Sequence, residues 1–341
     1  MKRPSTVRGN GRAVQLASAV GFVLAMSHAA GAASFTTFVV DGATQTIPWA
    51  IDAAGDVAGS WYDSGYVPHG FLRTANGTIT TFDPPGATET HVYGMNDNLA
   101  VVGSFEDGAG LHGFIRAADG TITVYDAPGA VDGTEIFAIN DDNVYGGDYY
   151  ADDGNGYGFV VNAKGKFKSF GVSGQRYTVV TALNSMGVAA GGDSGDEGLR
   201  AFVRSRKGVV TVFDIPGGND PAVAGINRHG NIAGTSWQYG VNNSGQGYLR
   251  LSDGTVTTFQ VVPGYETDGY GLNVHNMICG NYYDADGGYH GYIRKAAGGM
   301  TTFDAPGGTG STGCRAINDS GVAAGYFYDS QDVGNAYLRT P

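Results

Sequence analysis

Aromatic and imidazole side chains carry the most explicit chemistry in this sequence. Trp61-Tyr62, Tyr149-Tyr150, Trp237 and Tyr282-Tyr283 recur at the ends of short β-rich runs, and His69, His112 and His290 close three of the loops that follow. Flat rings stack on the C–H faces of sugars while polar groups take the hydroxyls, so Tyr and Trp beside His and Asp suit a carbohydrate-binding surface. Successive side chains of a strand face opposite ways, so one member of each pair is expected inside and the other toward the loop. These residues are the expected ligand contacts, with packing between repeats as the competing role.

Metal and catalytic chemistry is thinner. Asp284-Ala285-Asp286-Gly287 and Asp152-Asp153-Gly154-Asn155 place oxygens in glycine-containing loops, as calcium requires, but neither completes an EF-hand pattern. No cofactor or metal site is expected; calcium at Asp284 and Asp286 is the weak alternative, and acidic turn residues explain both loops. There is no Gly-x-Ser-x-Gly, no His-Glu-x-x-His and no phosphate-binding loop. Gly108 to Gly113 fits GxGxxG but joins two strands and opens no helix. The 32 acids are spread over every repeat, so a glycosidase-like carboxylate pair cannot be singled out. Catalytic residues stay unassigned, and binding is expected ahead of catalysis.

The elements that must hold these residues come from a repeat of 43 to 46 residues, read from the spacing of its Phe or Tyr marker between Phe82 and Phe303. A Thr/Phe-type strand recurs as Thr80-Thr81-Phe82, Thr123-Val124-Tyr125, Lys168-Ser169-Phe170, Thr211-Val212-Phe213, Thr257-Thr258-Phe259 and Thr301-Thr302-Phe303, with an orphan copy at Thr36-Thr37-Phe38. Small-apolar-Asn occurs seven times, from Ala50-Ile51-Asp52 to Ala316-Ile317-Asn318, and Gly-Phe-Leu-Arg-like segments keep the same count, ending at Ala336-Tyr337-Leu338-Arg339. Four strands per repeat, separated by turn residues, predict an all-β, seven-bladed β-propeller with four-stranded blades. The last repeat lacks the strand with which the chain begins, so pairing the N-terminal strand with the C-terminal strands would close the ring and remove its edges.

Within each repeat the first-to-second and third-to-fourth turns are tight, as in Asn140 to Asn143 and Ala118-Asp119-Gly120. The second-to-third connection and the connection to the next repeat are longer and more varied. By strand alternation the long loops share one face, the usual place for a binding site. Arg73, Arg116, Arg204, Arg250, Arg294 and Arg339 share one repeat position, and Asp83, Asp126, Asp214 and Asp304 another. Residues present in nearly every repeat are expected to hold it together, through Arg–Asp or Arg–backbone bonds, and the recurrent Asn is expected to bond its own turn.

The N-terminus reads as a leader. Lys2, Arg3, Arg8 and Arg12 precede a largely apolar stretch from Ala13 to Met26, and Ala30-Gly31-Ala32 offers small residues for cleavage near residue 33. The expected domains are a secretory signal peptide over 1–33 and the propeller over 34–341, with the mature chain secreted or periplasmic. No membrane span is expected. The four basic residues leave with the leader, so the formal charge falls from −12 to −16, which excludes nucleic acid and anionic lipid as main partners. Cys279 and Cys314 fall on neighbouring blades, where an exported chain can leave them bridged or as buried free thiols.

The NDxG-type turns, the His-Gly-Phe or His-Gly-Tyr segments at 69–71, 112–114 and 290–292, and Phe-Asp-x-Pro-Gly at 82–86, 213–217 and 303–307 resemble the HAF family of extracellular repeat proteins. The resemblance covers essentially the whole mature chain, with Gly where that family's name motif has Ala. It implies the repeat fold and export, and brings no established activity. The expected function is an exported, monomeric binding protein whose long-loop face recognises an extracellular carbohydrate. A glycan-active hydrolase or lyase, and a protein-interaction scaffold, are the alternatives.

Overall fold

Glycine- and Asx-rich turns cut the chain into short strands before any packing is considered. The computed structural model describes residues 33–172, 175–195, 198–238 and 244–341. The leader expected over 1–33 lies outside them but for Ala33. The described residues form strands and no helix.

After β1 (Ser34–Phe38), the strands pair as successive antiparallel quartets. These are β2 to β5 (Gln45–Ile51, Val57–Tyr62, Pro68–Arg73, Ile79–Phe82) and β6 to β9 (Glu89–Met95, Val101–Asp107, Gly110–Arg116, Ile122–Tyr125). Next come β10 to β13 (Thr134–Ile139, Tyr145–Tyr150, Gly156–Val161, Phe167–Phe170) and β14 to β17 (Gln175–Leu183, Ala189–Gly195, Gly198–Arg204, Val210–Phe213). Then follow β18 to β21 (Asn219–Ile226, Ile232–Gln238, Ser244–Arg250, Val256–Phe259) and β22 to β25 (Thr267–Leu272, Ile278–Tyr283, Tyr289–Arg294, Met300–Phe303). Finally β26 to β28 (Thr312–Ile317, Ala323–Tyr328, Gly334–Thr340) take β1 as their fourth strand, in a register running from Ser34 opposite Thr340 to Phe38 opposite Ala336.

Each quartet buries the aromatic of its third strand: Phe71, Phe114, Phe159, Phe202, Tyr248, Tyr292 and Tyr337 are all 0% exposed. Where the ring is Tyr, its hydroxyl still needs an acceptor inside the core. Tyr248, Tyr292 and Tyr337 donate to the carbonyls of Ala222, Asp268 and Gly313 at 3.0, 2.9 and 3.1 Å.

The recurrent Arg does something the sequence did not reveal. Its guanidinium lies over the fourth-strand ring of the preceding quartet: Arg73 over Phe38, Arg116 over Phe82, Arg204 over Phe170, Arg250 over Phe213, Arg294 over Phe259 and Arg339 over Phe303, at 4.6 to 4.9 Å. Cation–π contact joins neighbouring quartets here. The expected Arg–Asp pairing is absent among the described residues; Asp83, Asp126 and Asp304 bond His69, His112 and His290 instead. The orphan Phe38 meets Arg73 as each later Phe meets its Arg, so β1 supplies for β2 to β5 the ring that a preceding fourth strand supplies elsewhere.

The recurrent Asn also reaches further than its own turn. Each Oδ1 accepts backbone N–H groups two and four residues on, as Asn96 does from Asn98 and Ala100 at 3.1 and 2.9 Å. Each Nδ2 donates to the backbone carbonyl of the corresponding residue one quartet later: Asn96 to Asn140, Asn140 to Asn184, Asn184 to Asn227, Asn227 to Asn273, Asn273 to Asn318 and Asn318 to Asp52, at 2.9 to 3.1 Å. Asp52 holds the seventh copy of the position and has no amide donor to send to Asn96.

Burial first, and then the neighbouring Asp56, push the Asp52 carboxyl up to about 6 from its ordinary 3.8. A folded-state value above the unfolded one means that folding favours the protonated form, so this group's stabilising contribution is complete below about pH 4 and is lost as pH rises through about 6. Asp52→Asn is therefore expected to stabilise the protein at pH 7 by about 1 to 3 kcal/mol, through a permanent donor and a removed buried charge. Thermal unfolding from pH 4 to 8 checks this: the gap over the parent should widen as pH rises, and a constant gap or a loss of stability would refute it.

Cys279 and Cys314 are free, buried thiols in one apolar cluster with Ile293, Ile317 and Ala323. Burial and the hydrogen bond between them push the Cys279 thiol well above its usual range.

Candidate functional site

The first strand of every quartet carries a β-bulge at one repeat position, seen as register shifts at Pro48/Ala50, Val92/Gly94, Ile136/Ala138, Val180/Ala182, Val223/Gly225, Gly269/Gly271 and Cys314/Ala316. A bulge adds a residue and re-aims its side chain. The bulged residues Trp49, Phe137, Thr181, Ala224, Tyr270 and Arg315 line a shared cavity of about 270 Å³, floored by the Ala/Gly and Ile/Leu/Met that follow each of them.

Just before the bulge, first and second strands place one residue each directly opposite the other: Ile47 and Ser60, His91 and Ser104, Glu135 and Asp148, Ala222 and Thr235, Asp268 and Asn281, Gly313 and Tyr326. The strand frame is constant and these side chains are not. Two quartets carry acid there, and they are satisfied differently.

In β22 and β23 the pair is acid and amide. Asn281 Nδ2 donates to Asp268 Oδ2 at 3.2 Å, and the Tyr270 hydroxyl reaches the same oxygen at 3.4 Å. In β10 and β11 the pair is two carboxylates. Glu135 Oε1 accepts from the Tyr93 hydroxyl at 3.0 Å and from Ser104 Oγ at 3.2 Å, whereas Asp148, 1% exposed, leaves Oδ1 buried without a partner. Burial, and then the Glu135 charge, push the Asp148 carboxyl up to about 7, and its hydrogen bond with Tyr177 only partly offsets them. Two directly opposed carboxyl groups, one of them pushed up toward neutrality, are equipped for acid–base work. Tyr150, 39% exposed, stacks on Tyr177 with centroids 5.7 Å apart and planes at 21°, so an aromatic platform adjoins the acids.

The expected contact residues divide by strand alternation. Tyr150 and Tyr283 face out, and Tyr149 is buried. Trp61, Tyr62, Trp237 and Tyr282 are half-buried. Trp61 stacks on His69 at 4.5 Å, Tyr282 lies 5.3 Å from His290, and Tyr283 lies 5.0 Å from Tyr289. The three histidines do not meet one another. Each is held inside its own quartet between two aspartates: His69 Nδ1 2.9 Å from Asp83 with Asp63 on the other side, His112 between Asp126 and Asp107, His290 between Asp304 and Asp284. The bond to Asp126 holds the His112 imidazole above its ordinary range; burial opposes the same effect at His290, but Asp304 and Asp284 prevail. These contacts fasten the second-to-third loop to its sheet.

Asp284 spends Oδ1 on the backbone N–H groups of Asp286 and Gly288 and Oδ2 on His290. Asp153 likewise accepts from Asn155 N and the Tyr157 hydroxyl. Both glycine-containing loops are thus Asx turns, and no cluster of three His, Cys, Asp or Glu suited to a metal occurs among the described residues.

Glu135, Asp148 and Arg315 were not among the expected contacts. A signal existed: Glu135 lies five residues ahead of Asn140, where only Asp268 among the other repeats is acidic, and Arg315 three ahead of Asn318, where no other repeat carries a charge.

No protein-family model and no curated protein matches the sequence. Solved structures do. A catalytically inactive virginiamycin B lyase from Staphylococcus aureus with quinupristin is similar at a TM-score of 0.59 and 13% identity, over 91% of this chain and 100% of that one. A puromycin hydrolase mutant complexed with PGG is similar at 0.55 and 12% identity, over 86% of this chain and 52% of the hydrolase. Both are proteins of β-propeller type, and at these identities the likeness gives the fold: this chain has an all-β, propeller-type architecture.

Proposed function

We propose that the chain is an exported, seven-bladed propeller, closed by β1 on β28, whose long-loop face binds an extracellular carbohydrate. Closure is supported by the β1–β28 register and by the Asn318 bond to Asp52, which joins the last repeat to the first. Export and kinship with the HAF repeat proteins rest on the N-terminal composition and the repeat motifs. The observation that carries the binding role is the exposed Tyr150 stacked on Tyr177 beside Asp148 and Glu135: an aromatic platform next to hydroxyl-binding acids. Tyr283 beside Tyr289 is the second platform. Screening the purified chain on a glycan array is expected to give saturable binding, weakened about three- to tenfold by Tyr150→Ala. Binding to no glycan, with a co-purifying protein instead, would favour a protein-interaction scaffold and overturn the carbohydrate role.

The carboxylate pair favours a second reading, glycan hydrolysis. Asp148, half protonated near neutrality, would serve as general acid, and Glu135, which accepts from the Tyr93 and Ser104 hydroxyls, as base. Release of reducing sugar is then expected to fall as pH rises above about 7, because the acid loses its proton. Glu135→Gln and Asp148→Asn should each cost about 100-fold or more. A polysaccharide that binds and is never cleaved would leave the chain a binding protein.

A further inference from the structure

We propose that the central cavity is an anion site in which Arg315 holds the carboxylate of an acidic sugar. The inference deepens the carbohydrate reading above and rests on it for the nature of the ligand, though not for the charge.

The bulge position is uncharged in the other repeats, where it carries Trp49, Tyr93, Phe137, Thr181, Ala224 and Tyr270. Only β26 puts a cation there, and Arg315 is the one charged residue lining the cavity among the described residues. Aromatic rings surround its guanidinium. The central carbon lies 4.2 Å from the Tyr270 centroid, 5.0 Å from Trp49 and 5.3 Å from Tyr326, and Nη2 donates to the Tyr326 hydroxyl at 3.3 Å. Those rings offset part of the cost of removing the charge from water, but they accept few of its five N–H groups.

No carboxylate lies within ion-pairing distance of Arg315 among the described residues; its Nε is buried without an acceptor, as is that of each recurrent arginine, but only the Arg315 guanidinium lines the cavity. Asp268 acts on it only at longer range, its Oδ2 being taken by Asn281 and Tyr270. A desolvated guanidinium whose partners are aromatic rings and hydroxyls and no carboxylate remains costly. Arg presents a planar fork that matches a carboxylate with two parallel bonds. The cavity, about 270 Å³, has room for one sugar ring, and Tyr270 and Trp49 supply faces to stack on it. A uronate-type residue satisfies the charge, the size and the aromatic walls together.

The test is ligand-observed NMR on the intact exported chain with galacturonate, galactose and acetate as probes, alongside the glycan array. Saturation transfer to galacturonate, at least tenfold tighter than to galactose or acetate and lost by tenfold or more in Arg315→Gln, is the expected result. Arg315→Lys, which keeps the charge and loses the fork, should fall between. Should either variant fail to fold, the unmodified chain decides: galacturonate must raise its Tm where equal galactose does not. Equal binding of galactose overturns the role of Arg315 and leaves the carbohydrate reading standing. Acetate binding as tightly as galacturonate overturns the acidic-sugar assignment, since a free small anion would then suffice. No binding of galacturonate by a chain that still binds neutral glycans on the array overturns this inference alone.

Discussion

Deleting residues 34–39 is expected to make the chain self-associate, or to lower its Tm by more than about 10 °C. The deletion removes β1 and leaves the whole outer edge of β28 unpaired, a row of free N–H and C=O groups that recruits other chains. It also strips side-chain contacts that each later repeat makes with its own fourth strand. Phe35 lies 5.6 Å from Tyr337 and 6.0 Å from Phe303, and Phe38 lies 6.1 Å from Phe71 and beneath Arg73. The loss therefore reaches three quartets: β26 to β28 lose their fourth strand, β2 to β5 lose the ring under Arg73, and β22 to β25 lose the partner of Phe303. Size-exclusion chromatography and thermal unfolding check it; an unchanged Tm in a monomeric deletion variant would contradict the role given to β1.

Two adjacent glycines should behave in opposite ways. A Cβ on Gly191 would sit 1.9 Å from the Val179 carbonyl oxygen and 3.1 Å from the Phe202 ring, whereas a Cβ on Gly192 meets its first neighbour, the Arg200 carbonyl oxygen, at 3.8 Å. The obstruction at Gly191 is backbone of the paired strand, which cannot step aside without breaking the bulge that shapes the cavity. The same crowding recurs at Gly59, Gly103, Gly147, Gly234, Gly280 and Gly325, with oxygens 1.8 to 2.1 Å away. Gly191→Ala is expected to destabilise by about 4 kcal/mol or more, among the largest single-residue effects, and Gly192→Ala by less than about 1 kcal/mol. Denaturant unfolding of the two variants side by side decides it, and equal stabilities would mean that strands β14 and β15 are not so closely apposed.

The strand frame was legible because its signals are local. Asn140 to Asn143 reads as a turn from its own residues, and the orphan Thr36-Thr37-Phe38 is visible by simple comparison with its later copies. The site was less legible because it depends on two things that local pattern does not encode. The bulge breaks strict alternation, so the period-two pattern does not reveal that Trp49 and Arg315 line the cavity. Partnership between repeats is set by the arrangement of the quartets, which is why Arg73 could be recognised as structural without Phe38 being identified as its partner. The histidines add a partnership that local pattern did not show: His69, His112 and His290 differ from their counterparts in other repeats, and each bonds Asp83, Asp126 or Asp304.

Closure of the ring is most directly examined by a cross-link between the two ends. Ser34 and Thr340 face each other in the β1–β28 register, with their hydroxyls hydrogen-bonded, and opposed residues of antiparallel strands have Cα atoms about 4.5 to 5.5 Å apart, within the span of a disulfide. The Ser34→Cys, Thr340→Cys double variant is expected to form an intramolecular bridge under mild oxidation, seen as loss of maleimide labelling at both positions and a rise in Tm. Two freely labelled thiols, or bridging only between separate chains, would contradict a ring closed by its own termini.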